Sequence, residues 1–387
     1  MPSLCRKQRM EKMQEHVGIQ VQNVHAAQSG KRSPLDTPGA YLSRPDGEDS
    51  LLRRSPNGYV RLRQFIKQQG LLDQQLPYYT YKILLTLSLL TIGLAFLFLV
   101  HNFWLQLLNA IYLSFVITQI GFLAHDIGHR QVFRTARQNR ISGLLVGNLL
   151  IGWSWSWWVE KHNGHHGHPN QLDGDPDIVR PFTVFTEEDA RKTQGVKRFL
   201  VKYQAYFEFP IYMFAPVTFL ILSIHFLWLK KAKHTLAEAL LLTLHYVIYV
   251  GLLFWQLNAW QAVLFMVVHQ ALFGLYLGSV VAPNHKGMLV VDRDCPLDFL
   301  HQQVLTARNV KAHPFTDFWY GGLNYQIEHH LFPNMPRNKL KEAQPIVRAF
   351  CKEHAIAYAE TSMLQSYGEI LRFLHQVSAP LREEKRV

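Results

Sequence analysis

"YKILLTLSLLTIGLAFLFLV", residues 81–100, carries one charge, Lys82, in twenty positions. Two residues further on, "FWLQLLNAIYLSFVITQIGFLA" (103–124) carries none. Each stretch reaches the roughly 20 apolar residues that a helix needs to cross a bilayer. The link between them, "HNFW" (101–104), is short enough to make a hairpin. Residues 238–256 and 262–282 repeat the arrangement around "QLNAW" (256–260). One such run suits a buried core helix, but four runs in two hairpins do not. The expected fold class is an all-α integral membrane protein with four transmembrane helices in two hairpins.

Charge sets the expected orientation. Neither hairpin turn contains Lys or Arg, whereas Arg130, Arg134, Arg137 and Arg140 follow the second span and Lys230, Lys231 and Lys233 precede the third. Basic residues stay on the cytoplasmic side, so both hairpin tips face out and both termini face the cytoplasm. The net charge of +12 then reflects loops facing anionic lipid, and no nucleic-acid partner is expected. Cys5, Cys295 and Cys351 are far apart and form no CxxC pair, so no disulfide framework or thiolate site follows. No apolar leader precedes residue 80.

Residues 1–56 read as a disordered basic N-terminal tail, 57–375 as the membrane domain, and 376–387 as a charged C-terminal tail. Residues 59–82 place apolar side chains at helical spacing between Arg and Lys, which suits an interfacial helix before the first span. Two apolar segments complicate the count. Residues 207–229 are basic on both flanks and contain Pro210, Pro216 and His225; the Trp-rich 141–160 suits the headgroup level. Both are expected to be interfacial or re-entrant, leaving four crossings.

The chemistry is carried by histidines. "HDIGH" sets His125 and His129 at i, i+4 as the second span emerges, and "HNGHH" sets His162, His165 and His166 at i, i+3, i+4. "QIEHH" repeats that spacing with Gln326, His329 and His330, and "APNHKG" places Asn284 and His285 at the end of the fourth span. On a helix these spacings share one face. With the orientation above, every group falls on the cytoplasmic side. A single zinc takes four ligands, so eight histidines and one glutamine suit a di-metal site under a cytoplasmic helical cap, although imidazole does not choose the metal. Asp126 and Glu328, inside the motifs, are expected to hold imidazole N–H groups. His168 is expected to be a loop residue. His101, His245 and His269, at or in the spans, are assigned to packing or hydrogen bonding, and "DGDPD" (173–177) to a structural loop that could lie near the site.

At these residues the chain resembles the membrane fatty acid desaturases. The forms HxxxH, HxxHH and QxxHH resemble the linoleoyl-CoA-desaturase-like and front-end branch, over about residues 57–375, with "KHNGHHGHPNQLDGDPDI" and "YQIEHHLFPNMPRNKL" among the matching stretches. The resemblance implies two iron ions (Fe2+/Fe3+) with O2 as co-substrate, and a cis double bond introduced into an acyl chain carried by CoA or a lipid. It implies His125, His129, His162, His165, His166, Gln326, His329 and His330 as metal ligands, His285 as the histidine outside the boxes, and Asn284 as a contact through water. Removing hydrogen from an unactivated methylene lies beyond side-chain acid–base chemistry, so a cofactor must supply the oxidation. Many front-end relatives carry a fused cytochrome b5 domain with HPGG; that motif is absent here. A separate ferredoxin- or cytochrome b5-type electron donor is therefore expected. The location implied is a multi-pass membrane protein, in the cell membrane of a bacterium or the endoplasmic reticulum of a eukaryote. A membrane di-iron hydroxylase of lipids is the nearest alternative. A metal transporter is more distant, because transport places ligands at the bilayer midplane.

Overall fold

A computed structural model describes residues 58–178, 182–293 and 297–383; the expected N-terminal tail, Cys5 and Cys295 lie outside them. In chain order the α-helices are α1 (Gly58–Gln68), α2 (Leu76–Leu99), α3 (Phe103–Gly128), α4 (Ala136–Leu144), α5 (Trp155–Gly167), α6 (Glu187–Lys192), α7 (Gly195–Lys202), α8 (Gln204–Tyr212) and α9 (Ala215–Trp228). They continue with α10 (Thr235–Gln256), α11 (Ala259–His285), α12 (Phe299–Leu305), α13 (Pro314–Trp319), α14 (Gln326–Leu331), α15 (Leu340–Glu353), α16 (Met363–Val377) and α17 (Ala379–Glu383). Two short parallel strands, β1 (Asn309–Val310) and β2 (Glu360–Thr361), pair Asn309 with Glu360.

Helices α2, α3, α10 and α11 are long and apolar enough to cross a membrane, and they match the four expected runs. The turns between them are capped as their sequences require. The Asn102 side chain accepts from Leu105 N at the start of α3, and Asn258 forms a capping box with Gln261 at the start of α11. Helices α2 and α10 expose Leu84, Ile92, Leu99, Val247 and Trp255, as lipid-facing surfaces do, whereas α3 is the most buried of the four.

Residues 207–229 fall in α8 and α9, which bend by 71° at a short break. The bend docks on α11 through Gly274 and Gly278, one turn apart. A Cβ at Gly274 would lie 2.2 Å from Tyr212 O, and one at Gly278 2.2 Å from the Tyr212 ring. Small residues four apart let helices approach closely in an apolar medium. Just beyond them, Lys286 pairs with the buried Glu208, which also accepts from Tyr212 OH.

The Trp-rich 141–160, expected to be interfacial or re-entrant, is a broken helix. It runs from α4 into a π-helical turn (Leu145–Ile151), breaks at Gly152 in the left-handed region (φ 93°), and restarts as α5. The break follows from Asn148 and Glu238. Asn148 donates to Glu238 O and accepts from Trp155 N, which holds the π turn against α10. The helix read from 59–82 is also bound more deeply than a surface helix. Leu62 and Ile66 of α1 are buried in a cap core with Leu300, Val304, Leu331 and Val347, and Tyr59 OH donates to Leu331 O at 2.9 Å. The expected charged tail at 376–387 begins inside α16; after a turn at Ser378 it continues as α17 to Glu383, and Leu381 is buried.

Candidate metal centre

Four elements deliver the histidines to one place. The last turn of α3 brings His125 and its C-cap is His129, α5 brings His162, His165 and His166, the end of α11 brings His285, and α14 brings Gln326, His329 and His330. Helix α5 is anchored at its start. Ser154 caps Trp157 N, and the fully buried Glu238 of α10 accepts from Ser154 Oγ (2.7 Å), Ser156 N (3.2 Å), Ser156 Oγ and Asn148 Nδ2 (3.4 Å). A carboxylate at a helix N-terminus also complements its dipole. The box glycine Gly128 leaves room for Trp158, since a Cβ there would lie 2.6 Å from that ring. Trp158 in turn stacks on His162 with centroids 4.6 Å apart.

The histidines form two groups. His125, His129, His162, His166 and His329 offer nitrogens all within 4.8 Å of one another, and so do His165, His285 and His330. His129 Nε2 lies 2.8 Å from His162 Nε2, His329 Nε2 3.1 Å from His166 Nε2, and His165 Nε2 3.2 Å from His285 Nε2. Gln326 joins the second group, with Nε2 3.0 Å from His285 Nε2 and Oε1 3.0 Å from Asn284 Nδ2. All nine sequence-expected ligands are therefore together.

The second group fixes its own tautomers. His165 Nδ1 faces both oxygens of Asp175 at 3.0 Å, His285 Nδ1 faces Thr306 O at 3.0 Å, and His330 Nδ1 faces Gln303 Oε1 at 2.8 Å. Carboxylate and carbonyl oxygens only accept, so each Nδ1 carries the proton and each Nε2 turns a lone pair inward. Gln303 is itself oriented, because its Nε2 donates to His166 O. Among the described residues, the buried His330 Nε2 has no hydrogen-bond partner. Three imidazole lone pairs converging from His165, His285 and His330 fit a cation, and imidazole is the donor set transition metals accept.

Burial first, and neighbouring imidazoles second, push His129, His162, His166, His329 and His330 well below the usual histidine range, into the neutral form that binds metal. His165 moves the other way. Burial works against its charged form, but the charge and hydrogen bond of Asp175, with the charge of Asp177, carry it above the usual value.

The expected supports are placed unevenly. Asp126 Oδ1 is 3.5 Å from His125 Nδ1, but its nearer partner is Arg337, 2.7 Å from the other oxygen. Asn284, for which the resemblance implies a contact to metal through water, donates directly to Gln326 Oε1. Glu328 does not hold an imidazole: it accepts from Asn309 Nδ2 and Tyr358 OH, both at 2.7 Å. Residues one or two apart on a helix do not face each other, so Glu328 points away from the stripe of Gln326, His329 and His330 and ties α14 to β1. Its burial raises it to about 7. The holder of an imidazole is instead Asp175, in the loop read from the sequence as structural. Thr306 and Gln303 were missed altogether; a backbone carbonyl and an amide 21 and 27 residues from their partners leave no local pattern. His168, His245 and His269 stay out of the cage, bonded to Gln171, Leu149 O and Tyr249 OH respectively.

The result is a helical protein with four apolar spans and a buried, histidine-lined cage that can hold metal at one end of them. A family model described as "Fatty acid desaturase" matches residues 102–362, and the chain belongs to that family. It is 32% identical to the acyl-lipid (9-3)-desaturase of Physcomitrium patens over 336 residues, 84% of this chain and 63% of that protein. It is 29% identical to the delta(6)-fatty-acid desaturase fat-3 of Caenorhabditis elegans, over 89% of this chain and 80% of that protein. The delta(5) fatty acid desaturase fat-4 of the same worm is 30% identical over 78% of this chain and 69% of its own length.

Proposed function

We propose that the chain is an oxidoreductase that introduces a cis double bond into a fatty acyl chain, using O2 and two electrons from a separate donor. The observation that carries the proposal is the cage: eight histidines and Gln326 from four elements, with three tautomers fixed so that their lone pairs converge. Two iron ions are the proposed occupants, one among His125, His129, His162, His166 and His329, the other among His165, His285, His330 and Gln326. When bound, the irons supply the activation of dioxygen that no side chain can perform. The overall change is balanced: one acyl CH2–CH2 unit, O2, two electrons and two protons give CH=CH and two waters.

The protein's part is to hold the ligands and exclude water. Asp175, Thr306 and Gln303 orient imidazoles, Trp158 covers His162, and the Asp126–Arg337 pair joins the first box to the segment after the third. Four crossings with the cage at the cytoplasmic end are proposed, because α3 and α11 both carry ligands at their C-terminal ends and α8–α9 is sharply bent. The electron donor is proposed to be of ferredoxin or cytochrome b5 type; these 387 residues contain no HPGG.

Expression in a host of defined fatty acid profile, followed by mass spectrometry that locates double bonds, tests this reading. A new positional isomer supports it. A new alcohol supports the hydroxylase instead, and an unchanged profile with a loaded metal site contradicts both.

A further inference from the structure

We propose that Asp175 is the positioning residue of one metal position, that of His165, His285, His330 and Gln326, and that its support acts on this position and not on the five-histidine one. The proposal rests on the two-iron reading above. Asp175 is 1% exposed and sits where a buried carboxylate needs several donors. It has them: His165 Nδ1 at 3.0 Å from both oxygens, Asn170 N at 2.8 Å and Asp177 N at 2.8 Å. The same loop reaches the far side of the position. Asn170, in the left-handed region at φ 53°, donates through Nδ2 to His285 O at 2.9 Å and accepts from Val291 N at 2.9 Å. Asp177, which lies 3.5 Å from His165 Nδ1, pairs with Lys161 of α5. One short loop therefore locks an imidazole from α5 and the backbone of an imidazole from α11 into a single register.

The five-histidine position is built differently. His166 Nδ1 is buried with no partner among the described residues, and His125 meets Asp126 only at 3.5 Å, where that carboxylate is already paired with Arg337. A carboxylate on a ligand's N–H fixes the ring and strengthens its lone pair toward a metal, and losing such a partner typically weakens metal affinity about 10–100-fold. The loss should fall on one iron and spare the other.

The test uses the full chain purified with iron, read by elemental analysis and by 57Fe Mössbauer spectroscopy of the reduced protein. The wild type should hold two irons in two environments. After a chelator wash that leaves the wild type at two, Asp175→Ala should retain about one. Asp175→Asn keeps the shape and one accepting oxygen but not the charge; it should shift one Mössbauer doublet and leave the other in place, which loosening of the loop alone would not do. Two retained irons with both doublets unchanged in Asp175→Ala overturn the proposal, as does equal loss of both irons from a normally eluting protein. A wild type that never holds two irons overturns the underlying reading, and this proposal with it.

Discussion

Asn284, in the last turn of α11, and Gln326, the first residue of α14, are joined by a 3.0 Å hydrogen bond across 42 residues. Asn284 donates to the Gln326 oxygen, and its own Oδ1 has no partner among the described residues. The O and N of a side-chain amide are nearly the same size, so a half-turn exchanges acceptor and donor. Turning both amides over gives Asn284 Oδ1 the Gln326 N–H and aims the Gln326 oxygen at the three imidazoles, which is the arrangement a metal requires.

Gln326 is accordingly expected to act as a ligand with Asn284 as its support. Gln326→His should retain the most iron of any change at this position, because imidazole replaces the amide on the same helical stripe. Gln326→Ala should lose iron and activity. Asn284→Ala should fall between them, with a loss of about 10–100-fold. Iron per chain and double-bond formation are the readouts; full iron and full activity in Gln326→Ala would make the glutamine a bystander.

Glu238 should matter although it touches no histidine. Glu238→Ala leaves the donors of Ser154 and Ser156 without their carboxylate acceptor, whereas Asn148 keeps its bond to the backbone oxygen of residue 238, and each buried unsatisfied group costs about 1–3 kcal/mol. The thermal midpoint in detergent and the iron content should both fall, less so in Glu238→Gln, which keeps one accepting oxygen. An unchanged midpoint in Glu238→Ala would show that α5 does not depend on this anchor.

The contact of α11 with the α8–α9 bend should be sensitive to single methyl groups. Gly274→Ala drives a Cβ against Tyr212 O, and overpacking of this kind costs about 1–3 kcal/mol. Its thermal midpoint should drop, whereas Gly251→Ala, where nothing lies within 4 Å, should leave stability unchanged. Equal midpoints for the two variants would count against close docking.

These features differ in how far they could be read from sequence. The four spans follow from composition alone, because an apolar run of bilayer length has few other uses. The ligands follow from helical periodicity, which places His162, His165 and His166 on one stripe before any fold is known. The same periodicity, applied to Glu328, would have turned it away from the cage; its motif position suggested a partner that its helical phase excludes. "GLYLG" (274–278) was legible as a small-residue contact but lay hidden inside a span read only for hydrophobicity. Asp175, Thr306 and Gln303 were not legible as holders, because their roles arise only when α5, α11, α12 and α14 meet.

Topology offers an independent check. If residues 207–229 do not cross, a cysteine introduced as Lys233→Cys, with Cys5 and Cys295 replaced by serine, should be labelled by a membrane-impermeant reagent from the cytoplasmic side only. Labelling from outside would place an odd number of crossings between the second box and His285, and would separate ligands that the fold brings together.

The most direct measurement is the metal content of the purified, catalytically competent chain, expressed with iron and zinc both available. Nine converging donors in a five-histidine group and a three-histidine-plus-glutamine group predict about two irons per chain. One iron per chain, or zinc retained in a protein that forms double bonds, would contradict the account.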